Sequence, residues 1–490
     1  MPNLIDRFVG WVNPHAGIAR HFARKQLERA YEAASPRDTW RPRRAGASAN
    51  ADHQADARTL RVKARALVQN VPYCRAALDG LASATVGTGI VPRATGQEKD
   101  AINKLFAAWS KVCDADGRYD YYGMMKAAYV AMEQDGEVLV RLRPRRPTDG
   151  LPVPLQLQLL EIDWLDDTRT GTNGGNPIIN GIEYDALGAV AAYYLWDQHP
   201  GDANTVRGRK TQSTRVSAQF IRHLYNPERP GQGRGFSRFA PVIARVRDLQ
   251  LYEDAELARK NLETRLSVLA SGDMAGMENP ASLGGAAEQG GGVRDLGELG
   301  GGGIVGMPAG MNFTVVEPKA APGYVEYVKY QMHIIATGLG VPYEMVTGDM
   351  TGVNFSSARV RLLDFRRAVQ QMQWLVLIPK LLVPLHEAFV EAAYLAGKVR
   401  GRDMAVDFSP PKWDYVNPEQ DVKADQAEIG AGLSTISEKL RQRGYDPEVV
   451  FAEWKSDFDK LKALGILDTM LFLQRGNLPT QPTELQPNKE

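Results

Sequence analysis

The chain has 490 residues, 43% hydrophobic, 24% charged and 8% aromatic, a globular composition on a length that exceeds one hydrophobic core and points to two to four domains. Its 59 basic residues face 58 acidic ones, so the molecule is no polycation, and any contact with a polyanion is local or weak. The only cysteines, Cys74 and Cys113, exclude a disulfide scaffold and a CxxC zinc module and are expected as ordinary buried or half-buried thiols of a reducing compartment. The N-terminus lacks the apolar core of a signal peptide. The longest apolar run, 374–385, is broken by Pro379, Lys380 and Pro384, so no membrane span is expected. A soluble protein made in a cytoplasm is the expectation.

In chain order, residues 1–56 are basic and irregular after a short helical pattern at 16–34, and SPRDTWRPRRAGASANADHQADA reads as an extended arm. Helical patterns follow at 60–69, 73–86, 98–112 and 121–134. The alternation in EVLVRLRP and VPLQLQLLEIDWL predicts strands at 137–143 and 153–162. GIEYD, VAAYYLW and VSAQFIRHLYN extend the β-rich region to about residue 226. Helices followed by a sheet region predict an α+β body. A glycine-rich turn then leads into a helix over 237–269, with Pro241 in its first turns. At about 1.5 Å per residue that helix spans roughly 50 Å.

Residues 272–310 are glycine-rich and carry Asp273, Glu278, Glu288, Asp295 and Glu298 against one Arg294, too little to build much core. A second helix is predicted over 324–339, then a polar loop, then a long helical stretch to 395. Beyond Met372 that stretch is apolar on nearly all sides and is expected to be buried. Helices at 419–430, 434–443 and 446–463 precede a polar, proline-containing tail from residue 477. No internal repeat is present.

Chemistry is notable for what it lacks. There is no phosphate-binding P-loop, no H-E-x-x-H, no G-x-S-x-G and no histidine pair at ligand spacing, so no catalytic residue, metal or cofactor is expected. Gly231, Gly233 and Gly235 in GQGRGF have the wrong spacing for a dinucleotide fingerprint and predict a tight turn before the long helix. His223 reads as a half-buried strand residue, His333 and His386 as packing or surface residues. Asp163, Asp166 and Asp167 in DWLDD read as a solvated turn, since a carboxylate metal site would lack a fourth ligand.

The stretch GLGVPYEMVTGDMTGVNFSSARVRLLDFRRAVQ, from Gly338, is the one that asks for a function. A helix C-terminus at Gly338–Gly340, a stop at Pro342, a turn at Gly348 and Asp349, and an N-cap by Asn354 or Ser356 account for the residues singly. They do not account for the length, since helix–helix connections are commonly shorter. Nor do they account for Arg359, Arg361, Arg366 and Arg367 against the single acid Asp364. A helix start with hydroxyls and arginines is consistent with a phosphate-facing surface.

Four stretches in this order resemble the lambda-type family of bacteriophage portal proteins. They are GLGVPYEMVTGDMTGVNFSSAR at 338–359, LRVKARALVQNVPYCRAALDGLASATVGTGIVP at 60–92, HLYNPERPGQGRGFSRFAPVI at 223–243, and PKWDYVNPEQDVKADQAEIGAGLSTISE at 411–438. The resemblance covers about residues 60–440. It implies a portal fold assembled as a ring, usually of twelve subunits, at one capsid vertex. Double-stranded DNA would pass through it without sequence recognition. The terminase large subunit, head-completion or adaptor proteins and the major capsid protein would be its partners, in a virion assembled in the host cytoplasm.

In those terms residues 1–56 are a flexible basic arm, 57–236 the wing, 237–270 a stem helix and 271–321 the clip. Residues 322–340 become the second stem helix, 341–356 the tunnel loop, 357–398 long buried helices of the wing, 399–476 a helical C-terminal or crown region and 477–490 a disordered tail. The low complexity of the clip departs from the family pattern. Thr347, Asp349, Thr351, Asn354, Ser356, Ser357 and Arg359 would face DNA in the channel. Arg245, Arg247, Asp248, Glu253, Glu256, Arg259 and Lys260 on the stem would line the channel or pair between subunits. The alternatives are a capsid-associated protein of the same fold without a DNA-conducting ring, and, far behind, a hydrolase or nuclease using Asp163, Asp166, Asp167 and His223.

Overall fold

The computed structural model describes residues 47–202, 213–264, 268–271, 312–315, 323–352, 354–413, 418–445 and 447–466. The arm up to residue 46, most of the glycine-rich insertion and the tail from 477 lie outside the described residues. The chain divides into two compact units. In the smaller, residues 47–56 pair with Glu228–Gly233: Gly233 N–H donates to Asn50 Oδ1 (2.9 Å), Asn50 Nδ2 donates to the Gly231 carbonyl (3.1 Å), and Arg229 donates to Asp52 (3.2 Å). Helix α1 (Ala49–Asn70) begins here, so residues 49–56 are helical rather than extended. Ser48 Oγ accepts from Ala51 N–H (3.2 Å), an N-cap ahead of an alanine-rich turn that strongly favours helix.

In the larger unit α2 (Pro72–Thr85), α3 (Lys99–Trp109) and α4 (Tyr121–Asp135) follow the predicted periodicity. Asp120 caps α4 by accepting from Gly123 N–H (2.7 Å). Their apolar faces meet around Phe106, Trp109, Tyr121 and Phe389, with edge-on rings 5.1 and 5.3 Å apart. Trp109 Nε1 donates to the Leu155 carbonyl (2.7 Å), so the indole's one polar atom is satisfied in the core.

Strand β2 (Glu137–Pro144) lies between β3 (Leu155–Glu161) and β9 (Ile221–Tyr225), all antiparallel. Because successive strand residues face opposite sides, Val138, Val140 and Leu142 enter the helical core. Leu139 enters a second core with Leu160, Ile162, Ile182 and Tyr193. That second core belongs to a five-stranded meander of β4 (Gly171–Asn173), β5 (Asn176–Ile179), β6 (Ile182–Tyr184), β7 (Val190–Leu195) and β8 (Thr214–Ser217).

The run VSAQFIRHLYN is not one strand. A 3-10 turn at Ala218–Phe220 separates β8 from β9, which join different sheets. Val216 and Ile221 both enter the second core. Five residues apart, they would sit on opposite faces of a continuous strand, and the turn restores them to one side. Strand β1 (Val91–Ala94) pairs with β12 (Val406–Ser409), a match between distant four-residue segments.

Helix α5 is Ile243–Thr264, shorter at both ends than the predicted 237–270. Its 22 residues span about 33 Å. Pro241 has no N–H to give, and the chain before it makes three-residue turns instead (Ala240 N–H to Ser237 O, 3.0 Å; Val242 N–H to Phe239 O, 2.9 Å). At the far end Ala270 lies in β10 (Val268–Ser271), antiparallel to β11 (Asn312–Val315), so a short ladder closes the base of the insertion.

Helix α6 (Tyr324–Leu339) packs on α5 through Tyr252, whose ring lies 5.8 Å from Tyr324 and 4.7 Å from Tyr327. Helix α8 (Phe355–Met372) continues through a π-helical segment, Gln373–Leu382, into α9 (Val383–Leu395). Pro379 inside that segment lacks the donor an α-helix would need, and the wider turn accommodates it. The expectation of burial on all sides is corrected. Val376, Leu377, Leu381 and Leu382 are buried, but Trp374 is 51% and Leu375 68% exposed, because the segment covers the sheet on one face only. Helices α10 (Pro418–Gly430), α11 (Ile436–Gln442) and α12 (Pro447–Ala463) close the described chain.

Candidate functional site

The connection after α6 is built in steps. Gly340 ends the helix at φ 69°, with Val341 N–H donating to Ala336 O (3.0 Å) and Gly340 N–H to Thr337 O (3.0 Å), a Schellman arrangement that only glycine enters without strain. Arg238 holds this end: it pairs with Glu133 on α4 and donates to the Leu339 carbonyl (3.1 Å). The expected polar loop then contains a short helix, α7 (Tyr343–Thr347). Met345 packs where Gly80 of α2 has no side chain, and the Tyr343 ring stacks on His333 at 4.0 Å. Gly348 stops α7 at φ 69°, and Asn354 is the cap of α8, its Oδ1 accepting from Ser357 N–H (2.8 Å).

The polar side chains of the loop bind one another. Thr347 Oγ1 donates to the Tyr343 carbonyl (3.0 Å) and accepts from Asp349 N–H (3.2 Å). Asp349 accepts from Lys329 Nζ (2.9 Å), Tyr343 Oη (3.1 Å), Thr351 N–H (3.0 Å) and the Thr351 hydroxyl. The Thr351 hydroxyl, then Lys329, hold the Asp349 carboxyl well below the usual carboxylate range, and Asp349 in turn raises Lys329. Ser357 Oγ donates to Asn354 Oδ1 (2.7 Å). The side chain of Ser356 lies outside what is described. Met350, at the tip, is 63% exposed.

Two of the arginines after the loop are answered by acids outside their own helix. Arg359 donates to Asp421 of α10 (3.0 Å), Arg361 pairs with Glu344 of α7, and Arg367 lies 3.4 Å from Asp364. Arg366 stands over the Trp413 ring at 5.0 Å. On α5, Arg245 donates to Gln331 of α6 (3.1 Å), Arg259 pairs with Glu256 one turn back, and Arg247 lies 3.6 Å from Asp248. Burial, then Asp254, raises the Glu253 carboxyl. Lys260 is exposed.

Sequence reasoning missed the buried charges that carry this scaffold. Arg234, inside the glycine-rich turn, makes two 2.6 Å bonds to the Glu137 carboxylate, which also lies 2.9 Å from His223 Nε2, and Arg234 donates to the Asn180 carbonyl (3.2 Å). All three side chains are at most 5% exposed. Gly235 beside them has no room for a side chain, since a Cβ would fall 2.0 Å from the Gly136 oxygen. The signal available was an arginine flanked by glycines opposite an acid at the start of a buried strand.

The aspartates of DWLDD are not a solvated turn. Asp166 is buried and accepts from Thr168 and Ser213 (2.6 Å each). Asp163 pairs with Arg65 (2.6 Å) and Arg61 (3.7 Å). Burial raises the Asp163 carboxyl, and the two arginines more than reverse that. Glu161, Asp163 and His199 converge closely enough to suggest a cation site, but the Arg65 guanidinium already contacts both carboxylates (3.2 and 2.6 Å). His223 bonds Glu137 on another strand, so these residues do not form one catalytic group. His386 is buried among Phe106 and Phe389, and burial pushes it down to about 4. Cys74 and Cys113 are fully buried and pushed up to about 12 by burial, inert thiols. Among the described residues no helix is long and apolar enough to cross a membrane.

Residues 35–373 match the family of phage portal proteins, lambda family. A "probable portal protein" of Halomonas phage phiHAP-1 is 28% identical over 443 residues, covering 85% of this chain and 83% of the relative. Among solved structures, a chain of the neck of a native GTA particle is 19% identical with a TM-score of 0.44, covering 85% of this chain and 97% of that one. An HK97 family phage portal protein from Corynebacterium diphtheriae is 11% identical with a TM-score of 0.36, covering 74% and 97%.

Proposed function

The chain belongs to the lambda family of phage portal proteins, and from that membership we propose that it assembles as a closed ring at a capsid vertex and conducts double-stranded DNA during packaging and ejection. The family match is the observation that carries this reading, because it spans the helical body, the stem helices and the loop together. Helices α5 and α6 are the stem, the segment from Val341 to Ser356 faces the channel, and the insertion whose base is the β10–β11 ladder meets the terminase large subunit and later an adaptor protein. The ring sits in the capsid beside the major capsid protein. Its work is structural, with ATP hydrolysis left to the terminase.

The loop chemistry supports passage rather than grip. Lys329, Arg359 and Arg361 each have a carboxylate partner within the chain. A ring of such loops presents duplex DNA with neutralised polar surface, and counterion release, the source of strong non-specific binding, stays small. Electron-microscopy class averages of the purified protein in low and moderate salt test the reading. Closed rings with a hole that admits duplex DNA support it, and monomers or dimers at every salt, also with a scaffold protein added, overturn it.

A further inference from the structure

The Asp349 carboxylate sits in a set of donors drawn from three elements. Lys329 Nζ comes from the middle of α6, Tyr343 Oη from α7, and Thr351 supplies both N–H and Oγ1 from the loop. Lys329 Nζ also lies 3.3 Å from Thr351 Oγ1, so the donors surround the one carboxylate, two on each oxygen. An ammonium, two hydroxyls and a backbone N–H around an oxyanion make a phosphate-type site. A local turn would need only Asp349 and Thr351. The bonds from Lys329 and Tyr343 reach across from separate helices. The Thr351 hydroxyl and Lys329 hold the carboxyl well below the usual carboxylate range.

We propose that Lys329, Tyr343 and Thr351 form an oxyanion site for a phosphate group, and that Asp349 is a built-in anion that fills it and keeps the loop from binding the DNA backbone. This rests on the reading that the loop faces DNA. A site left open in every subunit of a ring would add one counterion-releasing contact per chain and would slow a duplex that has to slide. With Asp349 in place, a passing phosphate must displace a covalently tethered competitor. The donors are thereby kept ordered while affinity for DNA stays low. Exposure fits exchange: the Lys329 side chain is 46% and Asp349 23% accessible.

The test uses the full chain and two probes, a 30-base-pair duplex read by fluorescence anisotropy across a salt series, and inorganic phosphate read by its effect on melting temperature. Asp349→Asn is expected to tighten duplex binding about tenfold at low salt and to steepen the salt dependence by about one per chain. Adding Lys329→Met to Asp349→Asn is expected to remove the gain. Equal duplex and phosphate binding by wild type and Asp349→Asn overturns the proposal. A gain for inorganic phosphate but not for duplex supports the oxyanion site with free phosphate as its ligand and counts against a DNA-facing loop. Asp349→Ser keeps the question open to refutation if Asp349→Asn misfolds. It empties the same site and is expected to show the same gain for duplex and phosphate, and binding equal to wild type overturns the proposal.

Discussion

The helical and sheet body around β2 and the helices after residue 418 treat their side chains in opposite ways. Around β2 the chain completes its own chemistry: two apolar cores share one strand, and Arg234, Glu137 and His223 satisfy one another out of contact with water. In α11 and α12 no residue is buried. Val449, Phe451, Trp454 and Phe458 of α12 remain exposed, Trp454 by 49%. Phe451, Trp454 and Phe458 are spaced i, i+3 and i+7, one face of the helix. The first region is organised as a domain that folds on its own contacts, the second as an apolar surface that the described residues leave open.

The comparison breaks first at the buried ion pair. Arg234→Met leaves the Glu137 carboxylate without its guanidinium and is expected to cost about 3–5 kcal/mol, read as a fall in the urea midpoint. A loss below about 1 kcal/mol would mean that this region is no better closed than the surface helices.

A second, smaller effect concerns pH. Folding lowers His386 to about 4 from 6.5, so the unfolded chain takes up its proton first. The stability this buried neutral ring contributes is present above pH 6.5 and is lost as pH falls toward 4, roughly 3 kcal/mol in all. His386→Phe should flatten the stability profile over that window, measured by thermal melting at a series of pH values. An unchanged profile would place the acid sensitivity elsewhere.

On the other side of the comparison, Trp454→Ser with Phe458→Ser should change the stability of the isolated chain by no more than about 0.5 kcal/mol, while ring formation falls. Rings that form normally would mean that no subunit covers this face. Last, replacing the segment from Thr347 to Asn354 by a short Gly-Ser linker should leave assembly intact and reduce packaged DNA. Unchanged packaged length and particle yield would remove the loop from the mechanism.

Periodicity made the helices legible almost to the residue where an apolar stripe met a strong cap or stop, as at Asp120 before α4 and Gly340 after α6. Alternation did the same for β2 and β3. Reading failed where a single residue outweighed the pattern. Pro241 delayed α5, Ser48 extended α1 into a stretch that reads as an arm, and the 3-10 turn after Ser217 divided an apparent strand. At the site, the special residues of the loop were visible in sequence as glycines, hydroxyls and amides without a core role. Their partners were not, since Lys329 precedes Asp349 by a whole helix end and Asp421 follows Arg359 across the π-helical segment and α9.

By itself, then, the sequence determined the local elements, the α+β character and the motifs that place the chain in its family, because these depend on neighbours a few residues apart. Only the tertiary structure decided which charges meet. Opposite charges far apart in sequence carry no periodic signature, and their energies depend on burial and on distances of a few ångströms. That is why Asp349, already marked as a loop residue, and four acids that look incidental in the chain, Glu133, Glu137, Glu344 and Asp421, emerge as the partners that neutralise the arginines and the lysine around the loop and its support.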